Sequence, residues 1–182
     1  KASKIYVGLE PSFPQDRILQ ILDDAQAHLI LADAQRGTLA RQVAGSDRRF
    51  ILLESLTTGD SHAPDVPVPL DSLAILNYTS GSTGKPKGVM QSHRALWASA
   101  IGALPEFRME RESVYLHAAP MFHMADFCGS MGTILRCGSN VILQSFDAGE
   151  VLQAIESEQI SHALLVPSMI KMVLNHPDVI GK

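Results

Sequence analysis

Residues 79–88 hold the densest chemistry in the sequence: three glycines (Gly81, Gly84, Gly88), four hydroxyl side chains (Thr79, Ser80, Ser82, Thr83) and two lysines (Lys85, Lys87). This is the material of a phosphate cradle. Glycines let successive amides converge on one anion, hydroxyls add donors, and lysines supply compensating charge. The surroundings agree: from Ser72 to Pro105 there is no Asp or Glu, while Lys85, Lys87 and Arg94 fall inside, a basic window in a chain of net charge −4. Such a window draws in a polyphosphate. The competing reading is a polar turn, since Gly, Ser and Thr cluster in loops generally. Known spacings narrow the first reading. Counted from Gly81, Pro86 stands where a Walker A loop needs its second glycine, and counted from Gly84 the position is Val89. Gly81, Gly84 and Gly88 also miss the G-x-G-x-x-G dinucleotide pattern, and no G-x-S-x-G nucleophile elbow occurs anywhere.

Composition bounds the setting. The 182 residues, 46% hydrophobic and 19% charged, describe a globular protein of about one domain and exclude wholesale disorder. The net charge gives no reason to expect a nucleic-acid partner. Apolar runs of a few residues are far short of the roughly 20 needed for a membrane span, and no secretory leader opens the sequence. Cys128 and Cys137 lack C-x-x-C spacing, which suits reduced thiols in the cytoplasm. His28, His62, His93, His117, His162 and His176 are scattered without the spacing of a metal site. Trp97, with Leu96 and Ile101, is expected in a helix core. Met121, Met124, Met131, Met169 and Met172 are expected as core filling, with an apolar tunnel as the alternative. Lys1 is not an initiator Met, and the sequence reads as a piece of a longer chain.

The elements that must position the loop alternate. Ile5–Leu9 reads as extended; Ile18, Leu19, Leu22 and Ala25 lie on one face of a helix entered at Pro14. Strands follow at 28–32 and 50–53, with a short helix between them, and a Pro-rich loop covers 57–71. Leu73–Tyr78 is a strand leading into the Gly-rich loop. A helix starts near His93 with Ser92 able to cap it, and a strand follows at 114–118. Then come a helix at 124–136, a strand at 140–143, a helix capped by Asp147 with Glu150 three residues on, a strand at 162–166 and a helix opened by Pro167. The alternation predicts an α/β fold in which helices cover a sheet.

Tyr78 through Val89 resembles, over twelve residues without a gap, the phosphate loop of the adenylate-forming enzymes: acyl-CoA synthetases, aryl-CoA ligases, luciferases and peptide-synthetase adenylation domains. Tyr6–Pro11 and Arg17–Ala25 are similar to the peptide-synthetase branch. Pro120-Met121-Phe122-His123, and Phe146 through Met169, are more like acyl-CoA synthetases. The resemblance implies a mixed β-sheet flanked by helices, part of a large N-terminal domain, with 1–70 a leading α/β segment, 71–182 the phosphate-loop segment, and a C-terminal catalytic-lysine domain outside these residues. It implies that a carboxylic acid, fatty or aryl, is joined to AMP with loss of pyrophosphate, then passed to a thiol. ATP and Mg2+ are the implied cofactors, and coenzyme A or the phosphopantetheine of an acyl or peptidyl carrier protein is the implied acceptor.

Residue by residue, Thr79, Ser80, Gly81, Ser82, Thr83, Gly84 and Lys87 match ATP-binding positions. Thr79 also matches a magnesium-holding hydroxyl, and Lys87 and His123 match catalytic ones. Lys85 falls at a variable position. An uncharged His123 where amino-acid-activating relatives place an Asp favours a plain acid, because a substrate ammonium would be left unpaired. Asp126 is the competing feature: facing the pocket, it could serve an ammonium. Amino-acid adenylation and a noncatalytic nucleotide- or anion-binding module are the alternatives, and the 182 residues alone are expected to be inactive.

Overall fold

The computed structural model describes residues 3–57, 59, 65–80 and 85–179. The chain divides into two compact units, Lys1–His93 and Arg94–Lys182. The break near residue 70 that the Pro-rich loop suggests lies inside the first unit, because Tyr6 bridges to Ile75 through backbone bonds of 2.9 Å to Ala74 and from Leu76. That bridge is all that the extended segment 5–9 contributes to a sheet among the described residues.

In the first unit, helix α1 (Gln15–Asp24) starts after Pro14 and buries Ile18, Ile21 and Leu22, a spacing of three and four that puts all three on one face. Leu19 packs half-buried against the core, as its place on the face predicts, and Ala25 is the C-cap residue. Strands β1 (Leu29–Ala32) and β2 (Arg49–Leu52) are parallel, with α2 (Gly37–Ala44) as the crossover that parallel pairing requires. Ile30, Ala40, Val43 and Ala44 close the core over α1. Strands β3 (Leu73–Ser80) and β4 (Pro86–Ser92) form an antiparallel hairpin.

The second unit opens with α3 (His93–Phe107). Its strand β5 (Val114–His117) lies between β6 (Ser139–Ile142) and β7 (His162–Ala163), all parallel. Helices α4 (Met124–Arg136) and α5 (Ala148–Ser157) make the crossovers, and α6 (Pro167–Leu174) follows. Asp147 caps α5 by accepting from the Gly149 and Glu150 amides at 2.9 and 3.0 Å, as its spacing predicts. β7 is shorter than the expected 162–166, since only His162 and Ala163 reach β5 and Pro167 holds Val166 in an extended conformation outside the ladder. Leu116 and Val151 are fully buried and pack with Ala118, Ala148, Ala154 and Val173.

The fold is thus mixed α/β, with parallel and antiparallel pairing, although the described strands form three small sheets and not one. Trp97 departs from expectation. It is 57% exposed and Ile101 41%, because α3 turns only Ala100 fully inward.

Beside that apolar core lies a polar one. His117 and Asp126, both with fully buried side chains, meet through Nδ1 and Oδ2 at 2.5 Å. The Tyr115 hydroxyl donates to Asp126 Oδ1 at 3.3 Å, and His117 Nε2 donates to Asn140 Oδ1 at 2.9 Å. With an acceptor at each nitrogen, the imidazolium is the form that satisfies both. Burial pulls the His117 pKa down, but the hydrogen bonds to Asp126 and Asn140 and the charge of Asp126 outweigh it and raise the pKa above 6.5. Burial and the same carboxylate push the Tyr115 hydroxyl well above its usual range, so it remains a donor.

Two outcomes follow. Protonation of His117 favours the folded state, so its contribution is complete below about pH 6.5 and is lost as pH rises through the higher folded value. Urea unfolding between about pH 6 and 9 should show stability falling with pH by at most about 1.4 kcal/mol per unit, the limit for one proton. Asp126→Asn should remove that slope. In α4, a Cβ on Gly129 would lie 2.1 Å from the buried Tyr115 ring. Gly129→Ala gains up to about 1 kcal/mol of helix propensity. It should nevertheless lower the melting temperature, because displacing a bonded, buried ring costs about 1–3 kcal/mol.

Candidate functional site

The β3–β4 ladder converts the Gly-rich stretch into a hairpin whose arms are in fixed register. Thr79 pairs with Lys87 and Ser80 with Pro86, and both Thr79 and Lys87 are exposed. Residues opposite each other in an antiparallel pair point to the same face, so the candidate magnesium hydroxyl and the candidate phosphate-binding ammonium project side by side. Pro86, which has no N–H to donate, starts β4 where the ladder begins. Lys85 precedes it, exposed, as expected for a solvated side chain. The expectations for Gly81, Ser82, Thr83 and Gly84, and for the Ser80 side chain, fall outside the described residues.

The loop end of the hairpin is tied to α1. Gly88 stands opposite Tyr78, whose ring comes within 3.1 Å of where a Cβ would be; a larger residue would push the ring away. The Tyr78 hydroxyl donates to Asp24 Oδ2 at 2.5 Å. Partial burial, that hydrogen bond and the Asp24 charge push the tyrosine pKa upward, so the phenol stays protonated at neutral pH. Tyr78 and Asp24 were not singled out as a pair in the sequence, which offers no signal that residues 54 apart should meet.

His123 lies in the second unit, at the residue preceding α4. Its backbone N–H donates to Pro120 O at 3.0 Å, and its carbonyl accepts from the Asp126 and Phe127 amides at 3.1 Å. Its side chain makes no capping bond and is exposed, with the ring centroid 4.5 Å from that of Phe122. A core or side-chain-capping histidine is therefore excluded. Asp126, three residues on, points the other way into the buried network. His117, Tyr115 and Asn140 are the partners that sequence reasoning missed. A histidine and an aspartate nine apart carry no signature until a strand, a turn and a helix fold them together.

Mg2+ takes oxygen ligands and keeps several waters alongside phosphate oxygens. Thr79 offers one exposed hydroxyl oxygen of that kind, and the described residues contain no group of three or more His, Cys, Asp or Glu able to hold a metal by themselves. The donor set fits an ion held mainly by phosphate and water.

Comparison with known proteins agrees with this geometry. The sequence profile described as AMP-binding enzyme matches residues 1–180. A feruloyl-CoA synthase of Amycolatopsis is 30% identical over 178 residues, covering 97% of this chain and 36% of that protein. The 4-hydroxybutyrate–CoA ligase 2 of Metallosphaera sedula is 34% identical over 170 residues, covering 92% of this chain and 30% of that one. The chain thus spans about a third of the length of these relatives. The crystal structure of the N-terminal domain of FACL13 from Mycobacterium tuberculosis shares the fold, with a TM-score of 0.86 at 20% identity over 96% of this chain and 46% of that one. A profile match over nearly every residue, with the hairpin of Thr79 and Lys87 inside it, places this chain in the AMP-binding family of adenylate-forming enzymes.

Proposed function

We propose that the protein carrying this chain is an acid–thiol ligase that activates a carboxylic acid with ATP and transfers the acyl group to coenzyme A. The observation that carries the reading is the register of Thr79 opposite Lys87 on an exposed hairpin, within a stretch free of acidic residues. A carboxylate oxygen of the acid attacks the α-phosphorus of ATP, the bond to the bridging oxygen breaks, and pyrophosphate leaves with its electron pair. Charge grows on the departing pyrophosphate. Donors fixed beforehand stabilise it best, and Lys87 on a strand is such a donor. The hydroxyls and amides of residues 79–84 are its neighbours in sequence. Thr79 would hold a magnesium ion through its hydroxyl, and the ion would supply positive charge against that of the phosphates. In the second step the thiol sulfur attacks the acyl carbon, and AMP departs with the electrons of the broken C–O bond.

A fatty or aryl acid suits the second unit better than an amino acid. The carboxylate nearest to His123 on α4, Asp126, is consumed by His117 and Tyr115, so it has no face left for a substrate ammonium. Coenzyme A is favoured over a carrier-bound phosphopantetheine by the names of the relatives, which are CoA synthases and ligases. No described helix is long and apolar enough to cross a membrane, and Cys128 and Cys137 are free thiols; we take the cytoplasm as the site of action and fatty- or aryl-acid metabolism as the setting.

ATP–pyrophosphate exchange with the full-length protein, across fatty, aryl and amino acids, tests the reading. Exchange should depend on a fatty or aryl acid. Exchange with amino acids alone would favour peptide-synthetase chemistry, and none with any acid would favour a noncatalytic binding module. Lys87→Ala should slow exchange about 100- to 1,000-fold, the usual cost of losing one transition-state donor. Lys85→Ala should change it less than about twofold, as surface substitutions usually do. The 182 residues alone should show no exchange.

A further inference from the structure

Segment 118–123 joins the end of β5 to the start of α4 and carries the adjacent rings of Phe122 and His123. Backbone bonds shape its far end: the His123 amide closes a turn on Pro120, and the His123 carbonyl receives the Asp126 and Phe127 amides. At its two flanks, His117 and Asp126 reach under the segment and meet at 2.5 Å in a pair with no solvent exposure. Asn140 on β6 and Ser130 on α4 hold His117 from its other nitrogen, at 2.9 and 3.4 Å. A nine-residue span is therefore closed by a charge-assisted bond whose partners are themselves held by three elements.

Stability does not require such a pair. Apolar side chains of similar volume do as well or better in a core, and the best-attested use of a buried polar pair is to fix one arrangement among several. What this pair fixes is the short segment ending in the exposed imidazole. We propose that Asp126 and His117 are positioning residues that hold segment 118–123 so that His123 meets the carboxylate end of the acid substrate. The proposal rests on the reading of His123 as an acid-side residue, and its test separates the two.

In the full-length protein, pyrophosphate release is measured against acid and against ATP for the wild type, His123→Ala, Asp126→Asn, Asn140→Ala and the His123→Ala/Asp126→Asn double variant. Asp126→Asn keeps the side-chain shape and removes the charge. It should raise the acid KM about tenfold while leaving the ATP KM within about twofold, as expected when a group near the reacting atoms is misplaced by a fraction of an ångström. Asn140→Ala, which leaves the ion pair in place, should raise the acid KM by about threefold. The double variant should be no worse than His123→Ala, because residues acting through one another are not additive. A purely structural pair would lower the melting temperature with the acid KM unchanged, or its effect would multiply with that of His123→Ala; either result overturns the proposal. An unchanged acid KM in His123→Ala removes both the acid-side reading and the proposal while leaving the Lys87 reading intact. Should Asp126→Asn fail to fold, Asn140→Ala decides: an unchanged acid KM beside a raised one in His123→Ala overturns the proposal.

Discussion

The register of one hairpin sets the rest of the chemistry. Side chains alternate along a strand, so a slip of one residue between β3 and β4 would send Thr79 and Lys87 to opposite faces and separate the hydroxyl from the ammonium. Two contacts at the adjacent pair oppose that slip. Gly88 makes room for the Tyr78 ring, and the Tyr78 hydroxyl reaches Asp24 at the end of α1, which the buried Ile18, Ile21 and Leu22 hold to the core of the first unit. A phosphate site built on strands is more exact than one built on a free loop. Here the strands take their position from the helix.

The hairpin and the start of α4 treat charge in opposite ways. The hairpin presents Lys85 and Lys87 to solvent, with the nearest acids in sequence beyond Ser72 and Pro105, which suits a ligand that brings its own negative charge. The second unit holds one buried charged pair. Asp126 and His117 neutralise each other out of water and leave His123 as the exposed polar group at the start of α4. A site for a carboxylate with an apolar tail gains from this arrangement: a free carboxylate nearby would repel the acid, and a charged lining would resist the tail.

Local features were readable in the sequence because they rest on local physics. The helix at 124–136, the Asp147 cap and the strand expected at 114–118, found at 114–117, follow from periodicity and capping chemistry, whereas the antiparallel return of Pro86–Ser92 on Leu73–Ser80 was not expected. Errors arise where a distant neighbour decides. β7 is cut to two residues by the reach of β5, and Trp97 stays exposed although its apolar pattern reads as core. The candidate site divides the same way. The Gly-rich stretch is contiguous and stands out in the sequence, whereas the Tyr115–Asp126–His117–Asn140 network joins a strand, a helix and a second strand and does not.

Asp126 shows why placement matters more than residue type. Three residues past His123, in sequence it reads as a group that could receive an ammonium. Folded, that spacing is most of a helical turn, and the side chain is carried inward to the sheet, where Tyr115 and His117 saturate it. To turn outward it would have to give up its bonds to His117 and Tyr115 and leave the buried Nδ1 of His117 without an acceptor, a cost of about 1–3 kcal/mol. An ammonium substrate would need to repay that cost before gaining anything. The bond proposed to hold segment 118–123 therefore also keeps this carboxylate inside the core.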